Sequence, residues 1–230
     1  MVGRIVLTAV LAGLVSGVFL WSAHMVKTTP LILAAEVYEK GAGATGTDHP
    51  HADKTEAARP HTHAPPAAGF ERAAYTLLAD LVSAVGFAFL LTAAVSLKAT
   101  PIDWRLGILW GLSGYAAFFL APSLGLPPEL PGMQAAELGA RQTWWLATAV
   151  ATAIGLGLAA FSPRRVAQAL GVGLVVLPHV IGAPAHEVGQ SNVPAELAAQ
   201  FVITTSVVSG LFWIVLGGLT GYFYNRFGNS

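Results

Sequence analysis

Six near-continuous apolar stretches dominate this chain, and they leave few folds open to it. They fall at about residues 5–25, 73–97, 104–121, 143–161, 166–182 and 201–222. Each holds one charged residue or none, so none has the polar face that a helix of a soluble bundle presents to water. A run of about 20 apolar residues crosses the roughly 30 Å hydrocarbon layer as a helix. The expected fold is therefore all-α: a multi-pass transmembrane helical bundle of six helices, one domain over residues 1–230. Only 10% of residues are charged, against about 25% in soluble proteins.

Charge placement orients the bundle. Arg4, Lys98, Arg105, Arg164, Arg165 and Arg226 fall on one side of a six-span arrangement, with Asp103 as the single acid there. The other side carries most of the carboxylates, among them Glu36, Glu129, Glu137, Glu187 and Glu196. By the positive-inside rule the basic side and both termini face the cytoplasm, and the expected location is a bacterial inner membrane. Five spans would break this alternation. The first stretch is too long, and too poor in small-residue cleavage signals, to read as a removable signal peptide.

Two outer segments are not simple turns. Residues 41–69 are rich in Ala, Gly, Pro and Thr, hold four histidines, and are expected to form a disordered loop. Residues 122–142 form a second outer loop, whose opening PSLGLPPELPG is too rich in proline for a helix to be expected. Asn192-Val193-Pro194 reads as the start of the helix that becomes the sixth span. Small residues recur at four-residue spacing in Gly13/Gly17, Gly107/Gly111 and Gly217/Gly221, the pattern by which membrane helices approach closely.

Composition narrows the chemistry. The net charge is zero and no basic run exists, so no nucleic-acid partner is expected. Without cysteine there is no thiolate site, and any metal must be held by imidazole, carboxylate or thioether. No P-loop motif occurs, and no tightly bound cofactor is expected. Ser113 with His186 superficially resembles the serine and histidine motifs of rhomboid intramembrane proteases. Ser113 falls mid-span and His186 beyond the outer end of another span, so the pair is not expected to meet and no enzymatic activity is expected.

What remains is cation handling. His49, His51, His61 and His63 lie in the first outer loop beside Asp48 and Asp53, a ligand set suited to gathering a divalent transition metal. His24, Asp80 and His179 lie in the outer half of the spans, and Glu129 and His186 lie in the loops above. An ionisable side chain inside an apolar span is costly and marks a functional site by default. The expectation is a convergent outer site in which Pro178 and Gly182 permit local unwinding beside His179. Each residue also has a plainer reading: His24 as an interfacial anchor, Asp80 in an ion pair with Arg72 or Arg141, Glu129 ordering its loop, and His179 bonding a carbonyl freed by Pro178. Thr204, Thr205, Ser206 and Ser209 add a polar stripe to the sixth span, a weaker candidate for a path.

With these residues named, the chain resembles the probable cobalt transporter subunit family CbtA over nearly its whole length. The resemblance rests on the histidine-bearing first loop, Leu126-Pro127-Pro128-Glu129-Leu130-Pro131-Gly132, Arg141-Gln142-Thr143-Trp144-Trp145 and Pro178-His179-Val180-Ile181-Gly182-Ala183-Pro184. It implies cobalt uptake for cobalamin biosynthesis alongside a small histidine-containing membrane subunit, CbtB. The family is often described with five spans, where the charge pattern favours six. A second reading is a metal-binding accessory or sensor subunit that translocates nothing, which an unbroken dry core beneath Asp80 would favour.

Overall fold

The computed structural model describes residues 2–43, 69–98, 102–185 and 191–228, and these contain helices and no strand. Helix α1 (Val2–Ala23) passes through a π-helical turn (His24–Thr28) into α2 (Thr29–Gly43). After α3 (Phe70–Ser96), helix α4 (Trp104–Tyr115) passes through a second π turn (Ala116–Leu120) into α5 (Ala121–Gly125). Then follow α6 (Leu138–Phe161), α7 (Arg165–Ile181) and α8 (Ala195–Arg226). All six expected spans are therefore helical. Five continuous helices are long and apolar enough to cross a membrane, while Arg165–Ile181 is shorter. Its 17 residues reach only about 25 Å at 1.5 Å per residue.

Two expectations need correction. The first helix does not end near Met25 but continues through α2, and the segment opening at Pro122 is helical up to Gly125. Both corrections have one physical cause. A proline inside a helix lacks the N–H that would bond back and presses its ring on the carbonyl four residues earlier. Pro30 and Pro122 each stand two residues past a π turn, where the widened ladder removes that conflict. Thr29 N–H reaches back to the His24 carbonyl, and Ala121 N–H to the Ala116 carbonyl. The proline-rich stretch turns irregular only after Leu126, where PPELPG forms the connection to α6.

Packing proceeds by antiparallel pairs: α1 with α3, α4 with α8, and α6 with α7. Helix α1 also lies along α8, so α1, α3 and α8 enclose the central core. Where α1 meets α3, that core is built from small residues, while α8 contributes Phe212, Trp213 and Leu216. Ala9, Ala12, Ala84 and Ala88 have no exposure, while Leu14, Val15, Val18, Leu78 and Val82 point outward. Large apolar side chains outside and small ones inside are what a lipid solvent selects, since lipid rewards close packing and not burial of grease. A Cβ on Gly13 would stand 2.6 Å from the Val85 backbone. One on Gly107 would meet the Gly217 carbonyl oxygen. The four-residue glycine spacings are thus the seams of α1/α3 and α4/α8.

The two ends of the bundle differ. At the basic end, Arg4 Nε donates to the Tyr224 carbonyl at 2.7 Å and its guanidinium lies 3.7 Å from the Tyr224 ring centroid. Lys98 stands over the Phe161 ring at 4.3 Å, tying the ends of α3 and α6. At the opposite end α2 projects beyond the start of α3. There Ala35, Leu130, Val193 and Phe201 form a separate apolar cap joining α2, the Pro-rich connection and α8.

A candidate metal site at the first π turn

His24 is the first residue of the π turn, and its Nδ1 lies 3.0 Å from Asp80 Oδ2 on α3. Asp80 is buried, at 8% relative exposure, although it is a carboxylate in an apolar bundle. It lies ten residues into α3, so about 15 Å along the helix from its start. That is deeper than the sequence suggested, because α3 begins at Phe70 and not near Ala73. The pairing with Arg72 or Arg141 is not what forms. Arg72 bonds Glu36 at 2.6 Å and Arg141 bonds Glu129 at 2.9 Å.

The His–Asp contact has a chemical direction. A carboxylate accepting from Nδ1–H fixes the imidazole tautomer and leaves the Nε2 lone pair for a metal, the usual arrangement around ligating histidines. The second Asp80 oxygen is also available as an anionic ligand. Two more polar groups lie at this level. Thr28, one turn beyond His24, is 5% exposed, and its Oγ1 has no hydrogen-bond partner. On α8, which packs against the π turn, Thr205 Oγ1 is likewise buried and unpartnered. Ser206, next to Thr205, instead bonds its own helix at the Val202 carbonyl, 2.7 Å away. Finally, Pro30 cannot donate, so the Met25 carbonyl has no helical donor once Thr29 bonds His24. Imidazole, carboxylate, hydroxyls and a freed carbonyl together make a hard-to-borderline cation environment.

The remaining candidates lie elsewhere. Glu129 is held by Arg141, at the start of α6, and orders the Pro-rich connection. The ring of His179 stands edge-on to Trp144, with centroids 6.0 Å apart, between α6 and α7. There Trp144, Thr148, Pro178 and Ile181 line an apolar groove of about 540 Å³. Among the described residues no three of His, Asp and Glu come together in one ligand group. Of the residues expected to converge, the described ones form a His24–Asp80 pair, a Glu129–Arg141 pair and a His179–Trp144 contact. His49, His51, His61, His63 and His186 lie outside the described residues. Ser113 lies exposed on α4, and its hydroxyl donates to the Leu109 carbonyl at 2.9 Å.

The sequence reading missed Thr28 and both π turns. The four-residue step from His24 to Thr28 is visible in the sequence, but a π turn has no reliable composition signal. Glu137, one of the outer carboxylates, caps α6, a role the sequence did not suggest: it accepts from the amides of Gly139 at 2.7 Å and Ala140 at 2.6 Å. Those two bonds hold its carboxyl below the usual carboxylate range.

A bundle of long apolar helices with large apolar side chains facing outward defines a multi-pass integral membrane protein. The chain belongs to the family described as probable cobalt transporter subunit (CbtA), whose family model matches residues 2–225. No curated protein matches the chain, and no solved structure matches it.

Proposed function

We propose that the protein is the multi-pass bacterial inner-membrane subunit that takes up divalent cobalt from the outer side through the His24–Asp80 pair. The observation that carries this reading is the buried carboxylate of Asp80, 3.0 Å from His24 and in no ion pair with an arginine or lysine among the described residues. An ionisable pair at that depth is costly unless a cation passes or rests there. Thr28 and Thr205 complete the outer site, and Met25 offers a carbonyl. In this reading His49, His51, His61, His63 and His186 gather the ion on the outer side, while Glu129 orders the Pro-rich connection through Arg141 and His179 is a secondary ligand candidate on the α6–α7 side. A small histidine-containing membrane subunit of the CbtB kind is the expected partner.

Uptake of radiolabelled cobalt into whole cells tests the reading, comparing wild type, His24→Ala, Asp80→Asn, His179→Ala and a deletion of residues 41–69. Loss of uptake in the first two at normal membrane abundance is the expected result. Wild-type uptake in both would remove the site. Loss in the loop deletion alone would move the chemistry to the histidine tract.

A further inference from the structure

Below the outer site, three threonines meet at one level of the central core. Ile5, Val95 and Tyr224 pack together at the basic end, one helix each from α1, α3 and α8. One layer further in, Ala12, Ala88 and Leu216 belong to the main apolar cluster of the same three helices. Thr8, Thr92 and Thr220 each stand one helical turn from a member of both layers, so they form a polar layer between two apolar ones. All three have 0% exposure.

None of the three hydroxyls has a hydrogen-bond partner. This is unusual for threonine in a membrane helix, whose hydroxyl ordinarily bonds a carbonyl one turn back. The more exposed hydroxyls do so: Ser22 to Val18 at 2.8 Å, Thr76 to Arg72 at 2.9 Å and Ser206 to Val202 at 2.7 Å. Thr148 and Thr152 on α6 are also buried and unpartnered, so what sets Thr8, Thr92 and Thr220 apart is their shared level on the three core helices. A buried polar group without a partner costs free energy comparable to a lost hydrogen bond, and water is the usual remedy. Ser16 repeats the feature halfway up, with 0% exposure and no partner for its hydroxyl. One face of α1 thus reads Thr8, Ala12, Ser16, Leu20, His24, polar at every second turn. The polar steps are about 12 Å apart.

We infer that Thr8, Thr92 and Thr220 form a hydrated inner station through which the cation leaves the His24–Asp80 site for the basic face. This rests on the uptake reading above and names its lower half. Three neutral hydroxyls carry no charge and are weak ligands for a divalent transition metal. They hold water well and hold the metal briefly, as a release step needs. The layer is also the answer to the dry-core argument for a non-translocating subunit. The core beneath Asp80 is apolar at Ala12, Ala88 and Leu216 but is interrupted by hydroxyls above and below.

The chain has no cysteine, so single cysteines report local water without further engineering. In membrane vesicles carrying the full chain, Thr8→Cys, Thr92→Cys and Thr220→Cys are treated with a small water-soluble methanethiosulfonate, with Ala88→Cys and Leu216→Cys as dry-layer controls. The threonine positions are expected to label at least about tenfold faster than the controls, and all five equally after denaturation. Labelling no faster than Ala88→Cys overturns the hydrated layer. Thr→Val at each position, which keeps shape and removes the hydroxyl, is expected to cut cobalt uptake severalfold while equilibrium cobalt binding is unchanged. Thr→Ser is expected to restore uptake. Full uptake in the Val variants overturns the transit role. Failure of the outer site would show differently, as unchanged cobalt binding in His24→Ala.

Discussion

Asp80→Asn separates the functional reading of the buried pair from a structural one, because the two predict opposite changes in stability. The substitution keeps size and shape at a residue that is 8% exposed and 3.0 Å from His24. It removes one negative charge and replaces the carboxylate facing the imidazole with a neutral amide, whose oxygen is a weaker acceptor and whose nitrogen is a donor. Loss of a carboxylate orienting a ligating histidine typically costs about 10–100-fold in metal affinity, or about 1.4–2.7 kcal/mol. Loss of Asp80 as a direct ligand would cost more. Stability should hold or rise, since a carboxylate no longer has to be desolvated in the bundle and the amide can still bond the imidazole. If the pair instead existed to hold α1 against α3, breaking it would destabilise by about 3–5 kcal/mol, which for a chain of this size is a fall of roughly 10 °C in thermal midpoint. The assay is paired: equilibrium binding of radiolabelled cobalt to the full chain in lipid nanodiscs, and thermal unfolding followed by tryptophan fluorescence. Weakened binding with an unchanged or higher midpoint supports the argument. Wild-type cobalt affinity, or a fall of that size in midpoint, refutes it.

Other consequences follow from the same geometry. Gly107→Ala and Gly111→Ala force Cβ atoms into the backbone of α8 and should each destabilise by about 1–3 kcal/mol. Gly86→Ala and Gly173→Ala, whose Cβ would meet nothing within 4 Å, should be neutral or stabilising by up to about 1 kcal/mol; thermal midpoints of the four variants check the contrast. Pro30→Ala supplies the missing donor at the first π turn. It should raise stability by about 1 kcal/mol and lower cobalt affinity, and unchanged affinity would remove the π turn from the site. Glu137 has a carboxyl held below the usual range by two amides. Its contribution to the start of α6 is therefore complete above the ordinary carboxylate pKa and lost as pH falls through the lowered one. Glu137→Gln should flatten the acid side of the stability profile, measured by circular dichroism against pH.

The six helices were legible because lipid imposes one rule on every span, and apolar length alone reports it. The glycine seams were legible for a similar reason: close approach needs small residues at a fixed spacing, and Gly107/Gly111 and Gly217/Gly221 supply it on the two helices that meet. The joining of His24 to Asp80 was legible only as shared depth. Equal depth does not say which helices are neighbours, and α6 and α7 lie to one side of the α1–α3–α8 core. His179 therefore shares a level with Asp80 in the sequence and a ring contact with Trp144 in the fold. Pro30 and Pro122 misled for a different reason. Proline reads as a helix end unless a π turn precedes it, and the residues of a π turn, here HMVKT and AAFFL, carry no mark of it.

The two π turns also say what the prolines are for. A straight α-helix through Pro30 would kink at an unsatisfied carbonyl, and one that stopped at Met25 would leave His24 at a frayed end. The π turn avoids both outcomes. It keeps α1 continuous with α2, places His24 at its first residue against Asp80, and leaves the Met25 carbonyl without a helical donor. Insertions of this kind concentrate at functional sites. The second π turn lies where α4 meets the α6–α7 side of the bundle and contains Phe118, stacked on Trp213 at 5.8 Å between centroids. It packs side chains where the first presents polar atoms. The same proline-linked device thus serves packing in one helix and a cation site in the other, and what distinguishes them is the residues carried: Ala116–Leu120 holds no polar side chain, whereas His24–Thr28 holds an imidazole and an unpartnered hydroxyl one turn apart.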